Sequence, residues 1–428
     1  MLDIKLVREN PELVRKNLEK RNNPENLVFL KELIETDKKW RSITSEVNLL
    51  RKKRNELSSE IAKLKKEKKP VAQILREAEK IPEKIKDLEV HQKQLEEKER
   101  DLLFKIPNML HDSVPTGKDS AQNKVLKLFG KKPKFDFVPK SHLEILQNLK
   151  MIDQERATKV AGNSFVYLKG DLVFLDMAIQ RFALDFLKKK GFEIVYPPLM
   201  INKTAYQGMI GNPFDFMEAS YKLEGEDLFL NPTAEYPIGS MFENEIFNKS
   251  DLPKKVCGVA TSFRREVGTH GKYAKGLFRM HHFNKVEQFI FCLPEDSWKL
   301  FEELQRNSET LYEILGLHFR TVVLCSGDTG AKASETIDIE AWMADGEFRE
   351  VGSNSNCLDY QARRLGIRYR EGEGKPVSGF IHTLNNTALA TSRTMIAIIE
   401  QYQQKDGSVE IPKALRSYTG FDFLGTKK

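Results

Sequence analysis

Residues 259–291 read VATSFRREVGTHGKYAKGLFRMHHFNKVEQFIF, and the fold is decided around this stretch. An apolar run leads into Phe263, a polar segment punctuated by Gly268, Gly271 and Gly276 follows, and an alternating run completes the stretch. Two strand-forming runs separated by such a segment predict a β-hairpin with a long loop. We expect the tip of that loop to be ordered either by its own contacts or by a ligand.

The charged residues of this hairpin suggest an anionic ligand. Arg264, Arg265 and Glu266 leave the first strand together, and Arg279 and Glu287 are predicted on the returning strand. Arginine forks match phosphate and carboxylate oxygens bidentately, so paired arginines beside carboxylates suit an anionic substrate with an ammonium group or a metal ion nearby. The alternative is a surface hairpin whose charges are only solvated.

The same residues resemble a known family. F-R-R-E at 263–266 and G-L-F-R-M-H-H-F-N-K-V-E at 276–287 resemble motif 2 of class II aminoacyl-tRNA synthetases, and closely that of the seryl-tRNA synthetases. The resemblance implies ATP-dependent activation of L-serine and its transfer to tRNA(Ser), with tRNA(Sec) as a further candidate. It also implies Mg²⁺ beside the ATP and a homodimer.

Size and composition limit the classes of protein to consider. With 428 residues the chain predicts two or three domains, and a net charge of +7 weakly favours an anionic partner. Residues 1–20 are charged throughout and no run is long and apolar enough to span a membrane, so we expect a cytoplasmic protein. The cysteines are widely spaced, which predicts neither a zinc site nor disulfides. They are Cys257, Cys292, Cys325 and Cys357.

Residues 1–110 predict a domain with a long helical arm at about 30–105. Apolar residues recur at seven-residue spacing with a second set three residues later, which is the seam of a coiled coil. Pro70 follows a basic segment and starts a second such run, so the pattern predicts two helices of about 35 residues in an antiparallel hairpin. Pro82 lies inside the second helix and is expected to kink or split it.

Basic residues concentrate towards the tip of the predicted arm. A long lever with a basic end suits a nucleic-acid backbone, although runs of charge are often only solvated. Seryl-tRNA synthetases are known for an N-terminal coiled-coil arm that holds their tRNA, and this resemblance assigns a set of residues to tRNA binding. They are Arg51, Lys52, Arg54, Lys63, Lys65 and Lys66.

Residues 111–428 predict a catalytic domain of the α+β class, an antiparallel sheet flanked by helices. A strand is expected at Lys124–Phe129, and an amphipathic helix at 171–190 with a strand at 192–196 resembles motif 1. Strands at 336–342 and 347–353 across an Asp-Gly turn predict a second hairpin. A further helix is expected at 236–247.

The ATP site is predicted from three separated segments. Glu350 and Ser353 stand at the end of a predicted strand, where a carboxylate and a hydroxyl suit Mg²⁺, and their context resembles the family's E-[IV]-[SG]-S-x-S-N segment. Residues 383–402 resemble motif 3, a cluster of turn formers followed by a helix that carries Arg393. By resemblance, the ATP-binding residues are Arg264, Arg265, Glu266, Met280, Phe283, Glu350, Val351, Gly352, Ser353 and Arg393.

The serine site is also carried over by resemblance. Thr233-Ala234-Glu235 matches the serine-recognition turn, although Thr before Glu also caps a helix well. Many bacterial members read N-G-S where this chain reads Asn385-Asn386-Thr387. The serine-binding residues are Thr233, Ala234, Glu235, Arg264, Glu287, Asn385 and Thr387, and the catalytic residues are Arg264, Glu266 and Arg393.

Three other functions remain open at this level. A threonyl or prolyl synthetase would share the catalytic motifs, but the heptad arm argues against it. An RNA-binding paralogue without catalysis is disfavoured because every matched position keeps usable chemistry. A ligase that charges a carrier protein would resemble the body, but such relatives lack the arm.

Overall fold

The computed structural model describes residues 1–211, 220–266 and 276–425, which form two compact units. The arm unit comprises Leu2–Glu19 and Asn23–Pro107. The sheet unit comprises Met1, Lys20–Asn22 and Asn108–Lys428. Of the predicted loop glycines in the first hairpin, Gly268 and Gly271 lie outside the described residues.

The arm unit is helical. Its two long helices have 42 and 34 residues, about 60 Å and about 50 Å at 1.5 Å per residue. Ion pairs join residues early in one long helix to residues late in the other, as between Lys98 and Glu32, so the predicted antiparallel hairpin is confirmed. The helices are α1 (Ile4–Glu9), α2 (Pro11–Glu19), α3 (Glu25–Lys66) and α4 (Ala72–Lys105).

The heptad seam holds the two long helices together. Val47, Leu57, Ile81 and Ile85 form its buried apolar cluster. Helix α4 runs through Pro82 without interruption, so the expected split is wrong. Ile81, directly before Pro82, and Ile85, three residues after it, are both buried in the seam, so α4 packs against α3 on both sides of the proline.

The main sheet of the sheet unit has eight strands among the described residues. They are β1 (Lys124–Phe129), β4 (Glu193–Val195), β8 (Lys254–Phe263), β9 (His282–Cys292), β10 (Phe319–Val323), β11 (Glu335–Trp342), β12 (Phe348–Asn356) and β15 (His382–Ala390). Their order across the sheet is β1-β10-β11-β12-β15-β9-β8-β4, and neighbours are antiparallel except β4 and β8.

The other strands of the described residues form smaller sheets. Their strands are β2 (Ile152–Asp153), β3 (Tyr167–Leu168), β5 (Met200–Asn202), β6 (Leu228–Leu230), β7 (Ile246–Asn248), β13 (Arg368–Arg370), β14 (Val377–Phe380), β16 (Val409–Glu410) and β17 (Phe423–Leu424).

Helices flank the main sheet and bury its core. Ser141 and Glu144 form a capping box at the start of α5 (His142–Asn148), and the amphipathic pattern from Asp171 forms α7 (Asp171–Lys189). No described helix is both long and apolar enough to cross a bilayer. The helices are α5 (His142–Asn148), α6 (Gln154–Ala161), α7 (Asp171–Lys189), α8 (Lys203–Met209), α9 (Glu235–Gly239), α10 (Ser297–Ile314), α11 (Tyr360–Leu365), α12 (Thr391–Gln401) and α13 (Lys413–Thr419).

Four local predictions are corrected. The helix expected at 236–247 is the short α9, which ends at Gly239 where a side chain would clash with Met209. The turn formers before the last long helix form the buried strand β15. Glu350 lies within β12 and not at its end. Arg279 precedes β9 and is not on it.

Candidate active site

Two adjoining cavities open on one face of the main sheet, with volumes of about 260 Å³ and about 700 Å³. Residues predicted from four distant segments line both of them. The shared lining residues are Thr233, Glu235, Arg264, Gly330, Lys332, Glu350 and Arg393. The smaller cavity is also lined by Phe283, Lys285, Glu287, Val351, Gly352, Ser353, Asn385 and Thr387.

Strand pairing brings these segments together. Strand β9 pairs with β8 on one side and with β15 on the other, which sets Glu287 opposite Gly258 and Thr387. Strand β12 pairs with the other edge of β15. Because alternate residues of a strand share a face, Lys285 and Glu287 point to the same side of the sheet.

Arg264 leaves β8 at the rim of both cavities. Its backbone N–H donates to the His281 carbonyl at 2.9 Å, and its Nε donates to the Pro232 carbonyl at 3.2 Å. The guanidinium carbon lies 5.2 Å from the centre of the Phe283 ring. These contacts place a cation at the cavity rim before any substrate enters.

Glu266 and Arg279 form an ion pair across the base of the loop, with Arg279 Nη1 donating to Glu266 Oε2 at 3.1 Å. Glu266 has a φ of 46°, in the left-handed region that non-glycine residues rarely adopt. The larger cavity is lined by Arg265, Glu266 and Arg279. The backbone at Glu266 is therefore constrained where the predicted ATP residues cluster.

Glu350 and Arg393 form the charged pair on the opposite wall. Arg393 Nη1 lies 3.0 Å from both Oε1 and the carbonyl of Glu350. Arg393 holds the pKa of the Glu350 carboxyl below its usual value, with a smaller contribution from Arg264. The Arg393 guanidinium carbon lies 4.9 Å from the centre of the Phe278 ring, so an aromatic face supports this arginine as well.

Next to Glu350, strand β12 approaches its neighbours closely. A side chain at Gly352 would lie 3.2 Å from the Thr387 carbonyl, tighter than most real contacts, so glycine suits that position. Ser353 stands opposite Asp338 in the pairing of β12 with β11. Burial, and then the charge of Glu350, raises the pKa of the Asp338 carboxyl well above its usual value.

The turn at 233–235 forms one end of the cavities. The Thr233 hydroxyl accepts a hydrogen bond from the Glu235 backbone N–H at 3.2 Å, and Ala234 is fully buried. Gln361 Nε2 donates to Glu235 Oε1 at 3.0 Å, and the Lys332 ammonium contacts the same oxygen. Glu235 is thus a buried carboxylate with an amide and an ammonium on one oxygen.

A second lysine–glutamate pair lies deeper. Lys285 Nζ is 2.6 Å from Glu287 Oε2 and 3.3 Å from the Thr387 hydroxyl, which lies 3.4 Å from the same carboxylate oxygen. Burial raises the pKa of the Glu287 carboxyl, and Lys285 opposes that shift. Asn385 also lines this cavity, with its amide 3.4 Å from the Cys357 sulfur.

Two predicted ATP residues belong to the hydrophobic core. Met280 and Val351 are buried there, with exposures of 6% and 1%. Val351 also lines the smaller cavity, whereas Met280 lines neither cavity. Neither side chain carries a strong hydrogen-bonding group.

The predicted tRNA-binding residues lie in the arm unit and are exposed. Arg51 is ion-paired with Glu89 at 2.7 Å, and Lys52 lies 3.9 Å from Glu56. No ion pair within 4.0 Å is found in the described chain for the other four. They are Arg54, Lys63, Lys65 and Lys66.

Several site residues escaped the sequence reasoning. Lys285 could have been found, because it alternates with Glu287 on a predicted strand and must share its face. Phe278 stands in the stretch at 276–287 that resembles motif 2 but was given no role there, and Asp338 carries no distinguishing local pattern. Lys332 stands in a loop outside every motif, and only the tertiary structure brings it to Glu235.

Comparisons with known proteins match two regions of the chain to families. Residues 219–402 match the family model described as tRNA synthetase class II core domain (G, H, P, S and T). Residues 1–110 match the seryl-tRNA synthetase N-terminal domain. A serine--tRNA ligase of Methanocella arvoryzae is 46% identical over 426 residues, covering 99% of this chain and all of the relative.

Solved structures show the same similarity over the whole chain. Seryl-tRNA synthetase from Pyrococcus horikoshii, complexed with ATP, matches with a TM-score of 0.97 and 43% identity, covering 100% of both chains. The cytoplasmic serine-tRNA ligase from Naegleria fowleri, in complex with AMP, matches with a TM-score of 0.90 and 34% identity, covering 100% of this chain and 99% of that one. The present chain therefore belongs to the seryl-tRNA synthetase family of class II aminoacyl-tRNA synthetases.

Proposed function

We propose that this chain activates L-serine with ATP and transfers the seryl group to tRNA(Ser), acting through the residues around the two cavities. The observation that carries this assignment is the convergence of Arg264, Glu350 and Arg393 on a cavity that Glu235 and Glu287 also line. The arginines suit triphosphate oxygens, and the two buried carboxylates suit an ammonium and a hydroxyl.

In the first step a serine carboxylate oxygen bonds to the α-phosphorus of ATP, and the bond to the leaving pyrophosphate breaks. Little covalent work falls to the protein, so positioning and charge stabilisation dominate. Arg264 is proposed to bridge the serine carboxylate and the α-phosphate, because its guanidinium is already fixed by Pro232 and Phe283. Arg393 is proposed to meet the γ-phosphate, and Glu266 to orient the adenine side.

The adenine ring is proposed to stack on Phe283. The Phe283 ring lines the smaller cavity, and the Arg264 guanidinium carbon lies 5.2 Å from its centre. Arg393, whose guanidinium carbon lies 4.9 Å from the centre of the Phe278 ring, is proposed to cover the second adenine face. Arg265 and the backbone of Met280, Val351 and Gly352 complete the proposed nucleotide contacts.

Serine recognition is proposed around the two buried carboxylates. Glu287 and Thr387 would read the hydroxyl, and Thr233 with Glu235 the ammonium, while Ala234 shapes the turn and Asn385 closes the wall. A pocket whose buried polar groups must bond a hydroxyl rejects an analogue that lacks one, because those groups are then left unpaired. Alanine should therefore be excluded far more strongly than size alone would exclude it.

Mg²⁺ fits the donor set of this site. No cluster of three His, Cys, Asp or Glu ligands occurs in the described part of the chain, and Mg²⁺ in nucleotide sites needs only one or two carboxylates beside the phosphates. Glu350 would hold the ion together with Ser353, since both residues line the smaller cavity. When bound, the ion neutralises phosphate charge.

Three further assignments belong to this proposal. The exposed lysines of α3 would hold tRNA(Ser), with tRNA(Sec) a further candidate, through backbone charge and shape. We propose the cytoplasm as the compartment, because tRNA(Ser) takes part in translation there.

We also propose a homodimer, because three large apolar side chains are exposed: Phe174 at 57% and Met177 at 58% on α7, and Tyr196 at 75% after β4. Light scattering should then give twice the chain mass of 49.3 kDa.

The decisive test is ATP–pyrophosphate exchange run separately with each amino acid. We expect exchange with serine and none with alanine or threonine at comparable concentration. Exchange with another amino acid but not with serine would overturn the assignment. Absence of all exchange, with tRNA binding retained, would instead indicate an RNA-binding paralogue.

A further inference from the structure

A loop at 329–333 is held by two residues distant in sequence. Five successive backbone carbonyls of this loop each accept a hydrogen bond from Arg21 or Asn108. Arg21 donates to Thr329, Gly330 and Ala333 at 2.9, 3.3 and 2.8 Å. The Asn108 backbone N–H donates to Ala331 at 2.7 Å, and its side-chain amide donates to Lys332 at 3.0 Å.

Arg21 itself is tied to Asn108, to whose carbonyl it donates from Nε and Nη2 at 3.1 and 2.9 Å. We call these two residues the clasp. Arg21 is 8% exposed and has no carboxylate within ion-pairing distance among the described residues, and burial lowers the pKa of its guanidinium to about 10. Burying a cation against carbonyl groups alone is unfavourable unless the geometry satisfies its donors. The carbonyl groups of Asn108 and of the 329–333 loop therefore satisfy the buried guanidinium, and the guanidinium in turn fixes the loop.

The clasped loop delivers one side chain to the cavity. Lys332 reaches Glu235 Oε1, and its ammonium lies 5.8 Å from the centre of the Tyr236 ring. The lysine and glutamate side chains are 21% and 6% exposed. The Glu235 carboxylate is thereby held by Lys332 and Gln361 at the end of the cavity where the serine ammonium is proposed to bind.

The two lysine–glutamate pairs of the cavity differ in how their lysine is placed. Lys285 shares strand β9 with Glu287, so the sheet itself fixes their distance. Lys332 stands outside the strands and helices, and its backbone is fixed by the clasp instead. A charge pair whose lysine comes from a loop depends on whatever holds that loop.

We propose that Lys332 is a positioning residue for serine binding, which fixes the Glu235 carboxylate for the substrate ammonium, and that the Arg21–Asn108 clasp holds Lys332 for this role. The proposal rests on the proposed function, because it assigns the ammonium of serine to Glu235. Lys332 acts through Glu235, and Arg21 acts through the loop.

The test is ATP–pyrophosphate exchange with purified full chain carrying Lys332→Met, which removes the ammonium but keeps an unbranched stem. We expect the KM for serine to rise about tenfold or more, with the KM for ATP within about twofold, because only one carboxylate of the serine site loses its partner. Lys332→Arg should recover most of the serine affinity, because its guanidinium also bonds carboxylates.

Lys255→Met is the matched control. Lys255 pairs with Glu303 at 2.7 Å, is 22% exposed, and lies 5.9 Å from the centre of the Phe192 ring, but it does not line either cavity. The Lys255→Met variant should have a KM for serine within about twofold of wild type, because the Lys255–Glu303 pair does not line either cavity. Equal effects of Lys255→Met and Lys332→Met, or equal rises in the two KM values for Lys332→Met, would overturn the proposal.

Arg21→Lys tests the clasp in a double-mutant cycle. It should raise the KM for serine in the native background and add little in the Lys332→Met background, because both changes release the same carboxylate. Additive effects would remove Arg21 from the proposal. Thermal unfolding identifies any variant that fails to fold. If Arg21→Lys fails to fold, the KM values for serine of the Lys332 variants alone decide whether Lys332 positions Glu235. If the wild-type chain shows no serine-dependent exchange, the proposed function is refuted. If the wild-type chain exchanges normally and Lys332→Met leaves the KM for serine unchanged, only the positioning role of Lys332 is refuted.

Discussion

An ion pair between a basic side chain and a glutamate is exposed in the arm unit and buried in the sheet unit. In the arm, Arg51 and Glu89 pair with side chains 52% and 42% exposed, where water and salt screen the interaction. In the sheet unit, Lys285 and Glu287 pair with side chains 8% and 1% exposed. A buried pair is held in one geometry and acts in a low dielectric, so it can orient a small substrate, whereas exposed charges can only attract a large anion.

The largest expected effect is on chemistry in the sheet unit. Arg264→Ala removes the cation at the cavity rim and should lower ATP–pyrophosphate exchange by about a thousandfold or more, as loss of a preorganised charge-stabilising group does. The measurement is kcat/KM for serine in the exchange assay.

Arg306→Ala is the control for that change. Arg306 is an exposed arginine paired with Glu309 and Glu313 on α10, away from the cavity lining. It should leave exchange unchanged. Retention of exchange in Arg264→Ala would remove this arginine from the proposed mechanism and weaken the contrast between the units.

The next largest expected effect is on the free energy of unfolding, and it compares the same Leu→Ala substitution in the two units. Leu304 is fully buried in the core of the sheet unit, and Leu57 lies in the two-helix seam at 8% exposure. Leu304→Ala should destabilise the sheet unit by about 3 kcal/mol, because a packed core cannot collapse onto the cavity. Leu57→Ala should destabilise the arm by about 1–2 kcal/mol, because a narrow seam relaxes more easily.

Denaturant unfolding should be followed by two probes, since a chain of two units need not unfold in one step. Hydrogen exchange of the α3 and α4 amides reports the arm, and hydrogen exchange of the β9 and β15 amides reports the sheet unit. A larger loss for Leu57→Ala than for Leu304→Ala would contradict the comparison of their packing.

A smaller effect is expected from the basic surface of the arm. Replacing Lys63, Lys65 and Lys66 with Gln should spare exchange and raise the KM for tRNA in aminoacylation about tenfold, because phosphate contacts are lost. The salt dependence of tRNA binding should become shallower. The same replacement at Lys188, Lys189 and Lys190, three exposed lysines at the end of α7, is the control. Equal loss of exchange and charging in the arm variant would contradict the proposed tRNA role.

The smallest effect is expected at an exposed ion pair. Arg51→Ala breaks the pair with Glu89, and the unfolding midpoint of the arm should remain indistinguishable from wild type, because exposed pairs contribute little to stability. Binding of tRNA should still weaken slightly, as one phosphate-facing charge is lost. A clear drop in the midpoint would show that this pair is structural.

Much of the fold could be predicted from sequence because it follows from local periodicity. The heptads at 33–64 and 71–102 predicted the two arm helices, and Lys124–Phe129 and Asp171–Lys189 formed where alternation and amphipathicity indicated. Strand β15 was missed because its Asn-Asn-Thr composition is typical of turns. There Asn386 accepts from Gln288 at 2.8 Å, so buried hydrogen bonds override the local preference.

Within the site, the sequence by itself determined which segments carry the charged residues, since Arg264, Glu350 and Arg393 each stand in a recognisable motif. The tertiary structure alone decided which of these charges meet and which further groups join them. Lys332 and its clasp show why. Their hydrogen bonds span 87 to 312 residues of chain and leave no periodic trace, because a contact made by a loop depends on the path of the whole backbone and not on the spacing of its neighbours.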